Sequence, residues 1–249
     1  MTTAYILAHF DDEYFALPMI LEERRAGVAQ KFLYVADYAS ADLAQRRLGE
    51  TRAFLQSQGV AEADIVHVGA GTGAMDGDVR AGAPAALAAA RAALAAIPGL
   101  DRLVVTAWEG GHPDHDACAL IAVRLAQDLG GVRVDQFALY SGRGLRGRLF
   151  RAGSPLPENG PVRRVRLPLA DWARFALGVR FYPSQWKTWL GLWPTMFLTY
   201  LLRGFGSQQL AAGRVGERPH EGALLYERQF GVSYAALQDC RDRVLGAPS

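Results

Sequence analysis

The first 140 residues alternate short apolar runs with segments of helical period, and no other feature limits the fold as tightly. The apolar runs are "AYILA" (4–8), "FLYVA" (32–36), "DIVHVG" (64–69), "RLVVTAW" (102–108) and "VRVDQFALY" (132–140). Helical patterns fill the gaps at 13–26, 40–58, the Ala-rich 84–97 and 115–129. Within 40–58, Leu43, Arg47, Glu50, Phe54 and Gln58 mark turns of one long helix, which Gly59 stops. Strands separated by helices of this length connect as right-handed βαβ units and build a parallel sheet. The predicted class is therefore α/β: a Rossmann-like three-layer sandwich with a mostly parallel sheet of order 3-2-1-4-5. With 249 residues the chain can bury one sizeable core. We expect a single domain over 1–249, with the core in 1–140 and a C-terminal α/β elaboration in 141–249.

Beyond residue 140 the character changes. "SGRGLRGRLFRAG" reads as a loop or a solvated basic face, and "PVRRVRLPL" (161–169) as a half-exposed strand. "DWARFALGVRFYPSQ" (171–185) reads as helix. The segment 186–205, "WKTWLGLWPTMFLTYLLRGF", is apolar on every side. It suits a buried or dimer-interface helix, a hydrophobic lip that meets a membrane surface or a lipid-linked substrate, or a spanning helix. Pro194 and Lys187 weigh against spanning. Arg143, Arg146, Arg148 and Arg151 could add attraction to anionic lipid, or merely solvate a face. A formal net charge of +2 leaves no electrostatic footprint for nucleic acid. Two cysteines without framework spacing, and no signal-peptide pattern at the start, suit the cytoplasm. The Gly-rich "VGAGTGAMDG" (68–77) follows the third strand and does not open a helix directly, so it reads as a loop near a site rather than a dinucleotide cradle. His67 reads as a satisfied core histidine, and His220 as ordinary surface or an outer partner of the site.

Two clusters carry chemistry. "AHFDDE" (8–13) places His9, Asp11, Asp12 and Glu13 directly after the first strand. A helix N-terminus welcomes a carboxylate, but a cap accounts for one aspartate and leaves the other, beside a histidine, unexplained. "EGGHPDHDA" (109–117) follows the fourth strand, with His112 and His115 three apart and Pro113 placed to open a helix. In a sheet of order 3-2-1-4-5 the first and fourth strands are neighbours at the topological switch point, where ligands bind. Folding thus gathers two or three imidazoles and several carboxylates in one crevice. Two histidines and a carboxylate with an open position make up a hydrolytic zinc site.

These residues resemble the LmbE-like, or PIG-L, zinc-dependent de-N-acetylases, which carry an "AHPDDE"-type motif after the first strand and an "HPDH"-type motif after the fourth. "RLGETRAFLQSQGV" (47–60), "MDG" (75–77) and, more faintly, "YPSQ" (182–185) add to the likeness. It covers residues 4 to about 130 well. The resemblance implies His9, Asp12 and His115 as zinc ligands, with iron(II) suited to the same donors. It implies Asp11 as general base, turned away from the metal by the backbone, and His112, protonated, beside the developing oxyanion. Arg47 and Asp76 would hold sugar hydroxyls or a phosphate. The implied activity is removal of acetyl from an N-acetylated sugar or glycan, in glycan or glycolipid biosynthesis. The rivals are hydrolysis of another amide and a non-catalytic glycan- or membrane-binding role, and a homo-oligomer fits any of them. Phe10 replaces the usual proline. Gly110 stands where some members place a proton-donating tyrosine, leaving Asp11, His112 or Glu109 to return the proton; Glu109 could instead support a zinc-bound imidazole.

Overall fold

The computed structural model describes residues 1–246. The core alternates as expected: β1 (Thr2–Leu7), α1 (Asp12–Phe15), α2 (Leu17–Arg25), β2 (Ala29–Tyr34), α3 (Ala41–Ser57), β3 (Ile65–His67), α4 (Val79–Ala95), β4 (Leu100–Thr106), α5 (Pro113–Asp128) and β5 (Arg133–Phe137). A small hairpin follows, β6 (Tyr140–Ser141) with β7 (Arg151–Ala152), then β8 (Arg163–Val165), α6 (Leu169–Gly178), α7 (Trp186–Arg203), β9 (Phe205–Gln209), α8 (Leu225–Gln229) and α9 (Tyr234–Leu245). The main sheet runs β3-β2-β1-β4-β5-β9-β8. The first five strands are parallel in the expected order; β9 joins the edge antiparallel to β5, and β8 pairs antiparallel to β9.

Local chemistry explains where elements begin and end. Ser40 caps α3 by accepting the Leu43 N–H, and Gly59 (φ 85°) turns the chain out after it. The 13–26 pattern divides into α1 and α2 at Ala16, with Pro18 in the first turn of α2. The helix expected to open at residue 84 opens at Val79 instead. The Asp114 carboxylate accepts the Val79 and Gly77 N–H groups at 3.0 and 2.7 Å, a cap supplied from α5 that local sequence does not reveal. Pro84 then lies inside α4. The 161–169 segment pairs only over Arg163–Val165, since Pro168 has no N–H to give a ladder. The helix expected over 171–185 stops at Gly178 and continues as two 3₁₀ turns, the second opened by Pro183.

All six β1 residues are buried. The C-terminal segment is fastened to the core by an aromatic cluster behind α1. Tyr14 stacks on Phe175 (ring centroids 5.3 Å) and meets Trp189 edge-on (4.8 Å), while Phe54 of α3 packs against Tyr182 (5.5 Å). Each large buried side chain of this kind contributes roughly 2 kcal/mol through burial. Tyr200 and Trp193 of α7 add hydrogen bonds to Phe15 O and Tyr14 Oη, both at 3.0 Å. The cluster fixes α7 beside the ends of β1 and β4.

Candidate metal centre

Strands β1 and β4 run side by side in register, Ile6 opposite Val105, so the turns that follow them meet. The first turn is bent by Asp11, whose φ of 146° is the only positive value at a non-glycine among the described residues. Such a conformation costs about 1–3 kcal/mol and persists only where its surroundings enforce it. Here the Glu13 carboxylate accepts the Asp11 N–H (3.1 Å), Tyr182 donates to the same carboxylate (2.8 Å), and Gln185 Nε2 donates to Phe10 O (2.5 Å). Phe10, standing where a proline was expected, is locked among Tyr34, Tyr38 and His67, with centroids 4.9–5.2 Å away.

Neither aspartate is a side-chain cap for α1. Asp11 occupies the N-cap position without a side-chain bond. Asp12 reaches backwards, and its Oδ2 accepts the N–H groups of Ala8 and His9 at 3.0 and 2.9 Å. That leaves Oδ1 turned to the imidazoles, 3.2 Å from His115 Nε2 and 3.9 Å from His9 Nδ1. His115 is buried, and neither of its ring nitrogens has a hydrogen-bond partner. An orphaned buried imidazole is costly unless something binds it. One donor atom each from His9, Asp12 and His115 lie within 4.8 Å of one another. Two imidazoles and a carboxylate in this arrangement fit a divalent cation.

A second group, His9, His112 and Asp114, is as compact but already satisfied. Asp114 Oδ2 sits 3.0 Å from His9 Nε2 and takes the Gly77 N–H, Oδ1 takes the Val79 N–H, and His112 Nδ1 accepts the Asp114 N–H at 3.2 Å. This group braces the centre from behind.

Charge follows the same division. Burial opposes ionisation of Asp12, but His115 and His9 beside it hold the carboxyl far below its usual range. Asp114 is treated likewise: burial is outweighed by the bond to His9, and its pKa falls to about 2. His9 is raised well above the ordinary imidazole value, its burial overcome by bonds to Asp114 and Asp12. Burial and then the Asp12 charge push Asp11 well up. His112 departs from expectation. Burial, then the charge of His9, lowers its pKa to about 3, so it is a neutral imidazole. With Nδ1 accepting from Asp114, the proton sits on Nε2.

The pocket over this centre encloses about 170 Å³ and is lined by His9, Asp11, Asp12, His112 and His115, with Arg47 and Asp76 at one side. Arg47 and Asp76 pair with each other at 2.9 Å, and Asp76 Oδ1 lies 3.4 Å from His9 Nε2. Phe15, Leu139, Tyr140, Gln185, Thr188 and Leu192 complete the wall. Sequence reasoning missed most of these. Tyr140 and Leu139 follow the fifth strand, and the 182–185 echo was the only pointer to Gln185. Asp114 was overlooked although it stands inside the second motif.

Glu109 does not support a ligand imidazole. Its Oε1 accepts the Leu139 and Tyr140 N–H groups (2.7 and 2.9 Å), while Oε2 is buried and unpartnered, and burial drives its pKa up to about 8. It ties the β4–α5 turn to the strand end that carries Tyr140. His67 is satisfied by Ala36 O at 2.8 Å. His220, read from sequence as ordinary surface or an outer partner of the site, is buried, its Nδ1 bonded to Glu221 O.

No protein-family model and no curated protein matches this sequence. Solved structures do. A deacetylase of the teicoplanin biosynthetic pathway, in a triple-mutant form, is 17% identical with a TM-score of 0.64, covering 84% of this chain and 97% of that one. Teicoplanin deacetylase Orf2 in its zinc-inhibited form is 15% identical with a TM-score of 0.62, at 84% and 97% coverage. N,N'-diacetylchitobiose deacetylase from Pyrococcus horikoshii is 14% identical with a TM-score of 0.53, at 85% and 84%. The chain has the fold of these deacetylases, so the likeness first drawn from two short motifs extends to the architecture.

Proposed function

We propose that this chain is a metal-dependent amide hydrolase that removes the acetyl group from an N-acetylated sugar or glycan. The observation that carries the reading is the unpartnered His115 imidazole facing Asp12 and His9 on the floor of a pocket that Asp11 also lines. The structural neighbours support it. They are deacetylases, one crystallised in a zinc-inhibited form and one acting on diacetylchitobiose.

His9, Asp12 and His115 would hold zinc or iron(II). Bound there, the cation supplies Lewis acidity and lowers the pKa of water to about 7. Asp11, its proton affinity raised by burial and Asp12, takes the proton of the attacking water and returns it to the departing amine. His112 donates from Nε2–H to the carbonyl oxygen as negative charge gathers there, a contact worth on the order of 10²–10³ in rate. Arg47 and Asp76, side by side at the rim, would take sugar hydroxyls. We read the chain as one functional unit, because β9 and β8 of its second half join the central sheet. Two buried free thiols, Cys118 and Cys240, suit the cytoplasm.

Acetate release from a panel of N-acetylated sugars is the test. Release should stop on chelation and return with added zinc or iron(II). A metal-loaded protein that frees acetate from none of them overturns the reading. Phe15, Leu139 and Leu192 give the pocket an apolar flank, which favours, as a second reading, an acyl group longer than acetyl. Longer acids would then appear in the same assay.

A further inference from the structure

Helix α7 buries one stripe, Trp189, Met196 and Tyr200, against the aromatic cluster. Its other side carries a second row of apolar side chains that faces solvent. Leu190 is 72% exposed and Leu202 67%, with Trp186, Leu198 and Leu201 more than half exposed, and Leu177 of α6 likewise. Scattered exposed leucines need no explanation, but a row of them along one helix marks a contact surface. Beside the row, Trp186, Trp193, Leu190 and Pro194 line an apolar groove of about 420 Å³. Thr188 and Leu192 of the same helix line the catalytic pocket.

The exposed charges carried by the α6–α7 segment itself have one sign. Between residues 166 and 203 stand Arg166, Arg174, Arg180, Lys187 and Arg203, all exposed. The only acid in that stretch, Asp171, is buried and engaged by Arg25 and Arg174. Among the described residues no helix is long and apolar enough to cross a membrane.

We propose that the α6–α7 face docks on an anionic lipid bilayer, with α7 lying along the interface beside the catalytic pocket. Apolar side chains flanked by cations are what an interfacial helix presents: the leucines and Trp186 enter the headgroup boundary while arginine and lysine meet lipid phosphates. A second copy of the chain is the poorer occupant. A two-fold contact through this face would set both cationic borders against each other. The inference is independent of the hydrolase reading, because docking is measured without turnover.

Sedimentation with phosphatidylglycerol–phosphatidylcholine vesicles, compared with phosphatidylcholine alone, tests it. Binding should be at least about tenfold stronger on the anionic vesicles and should weaken at about 1 M salt. Leu190→Asp combined with Leu201→Asp should reduce it by about tenfold or more with an unchanged melting curve, as expected for exposed positions. Lys187→Glu with Arg203→Glu should do the same and serves if the first pair folds poorly. No binding to anionic vesicles, equal binding to both compositions, or undiminished binding by folded variants would each overturn the proposal. So would a solution dimer that the leucine variants separate into monomers.

Discussion

Asp11 and Asp12 are adjacent in sequence and opposite in character. Asp12 is held ionised by two imidazoles, whereas Asp11, on a backbone turned to φ 146°, is pushed toward its protonated form. Environments that drive two carboxyls apart are how a site assigns ligand and base. Asp11→Asn should therefore keep metal content near wild type while lowering kcat by about 10²–10⁴, as acetate-release kinetics and metal analysis would show. Near-native turnover would remove Asp11 as the base. His9→Ala should lose the metal itself. His112→Ala should keep it and lower kcat by roughly 10²–10³. The ligand candidates were legible because each sits at a strand end beside a second ionisable group. Asp114 was not, since its carboxylate's partners, His9 Nε2 and the amides of Gly77 and Val79, lie 35 or more positions away.

At the scale of elements, the β4–α5 turn is tightly specified. Leu225 N–H bonds to Gly110 O at 2.8 Å, and Glu109 ties the turn to the end of β5. A Cβ at Gly111 would lie 1.9 Å from the Tyr140 carbonyl oxygen, which is backbone and cannot swing aside. Gly111→Ala should destabilise the fold by about 1–3 kcal/mol and weaken metal binding by displacing His112 and His115; urea unfolding and metal titration measure the two effects. The order of the first five strands was readable because strand–helix alternation permits few topologies. The start of α4 was not, because a remote carboxylate sets it. The placement of α7 was not either. A segment apolar on every side does not reveal that Trp189, Met196 and Tyr200 are buried while Leu190, Leu198 and Leu201 stay exposed.

For the whole molecule, the buried carboxyls dictate how stability follows pH. Burial raises Glu109 to about 8, and Glu13 and Asp116 to about 7. A folded-state pKa above the unfolded value of 4.5 means that Glu109 contributes its full stability below 4.5 and loses it as pH rises through about 8. Glu109→Gln escapes that loss. Its urea midpoint should exceed the parent's at pH 9, by on the order of 2–4 kcal/mol in free energy, and match it near pH 5. Equal midpoints at both values would show that Glu109 does not keep its proton. All of these effects bear on one proposed arrangement, two distant turns that would close around a cation. Anomalous diffraction from zinc-soaked crystals tests that directly. The account predicts one peak per chain, about 2.0–2.2 Å from a donor atom of His9, Asp12 and His115; a peak held by His9, His112 and Asp114, or no peak at all, would contradict it.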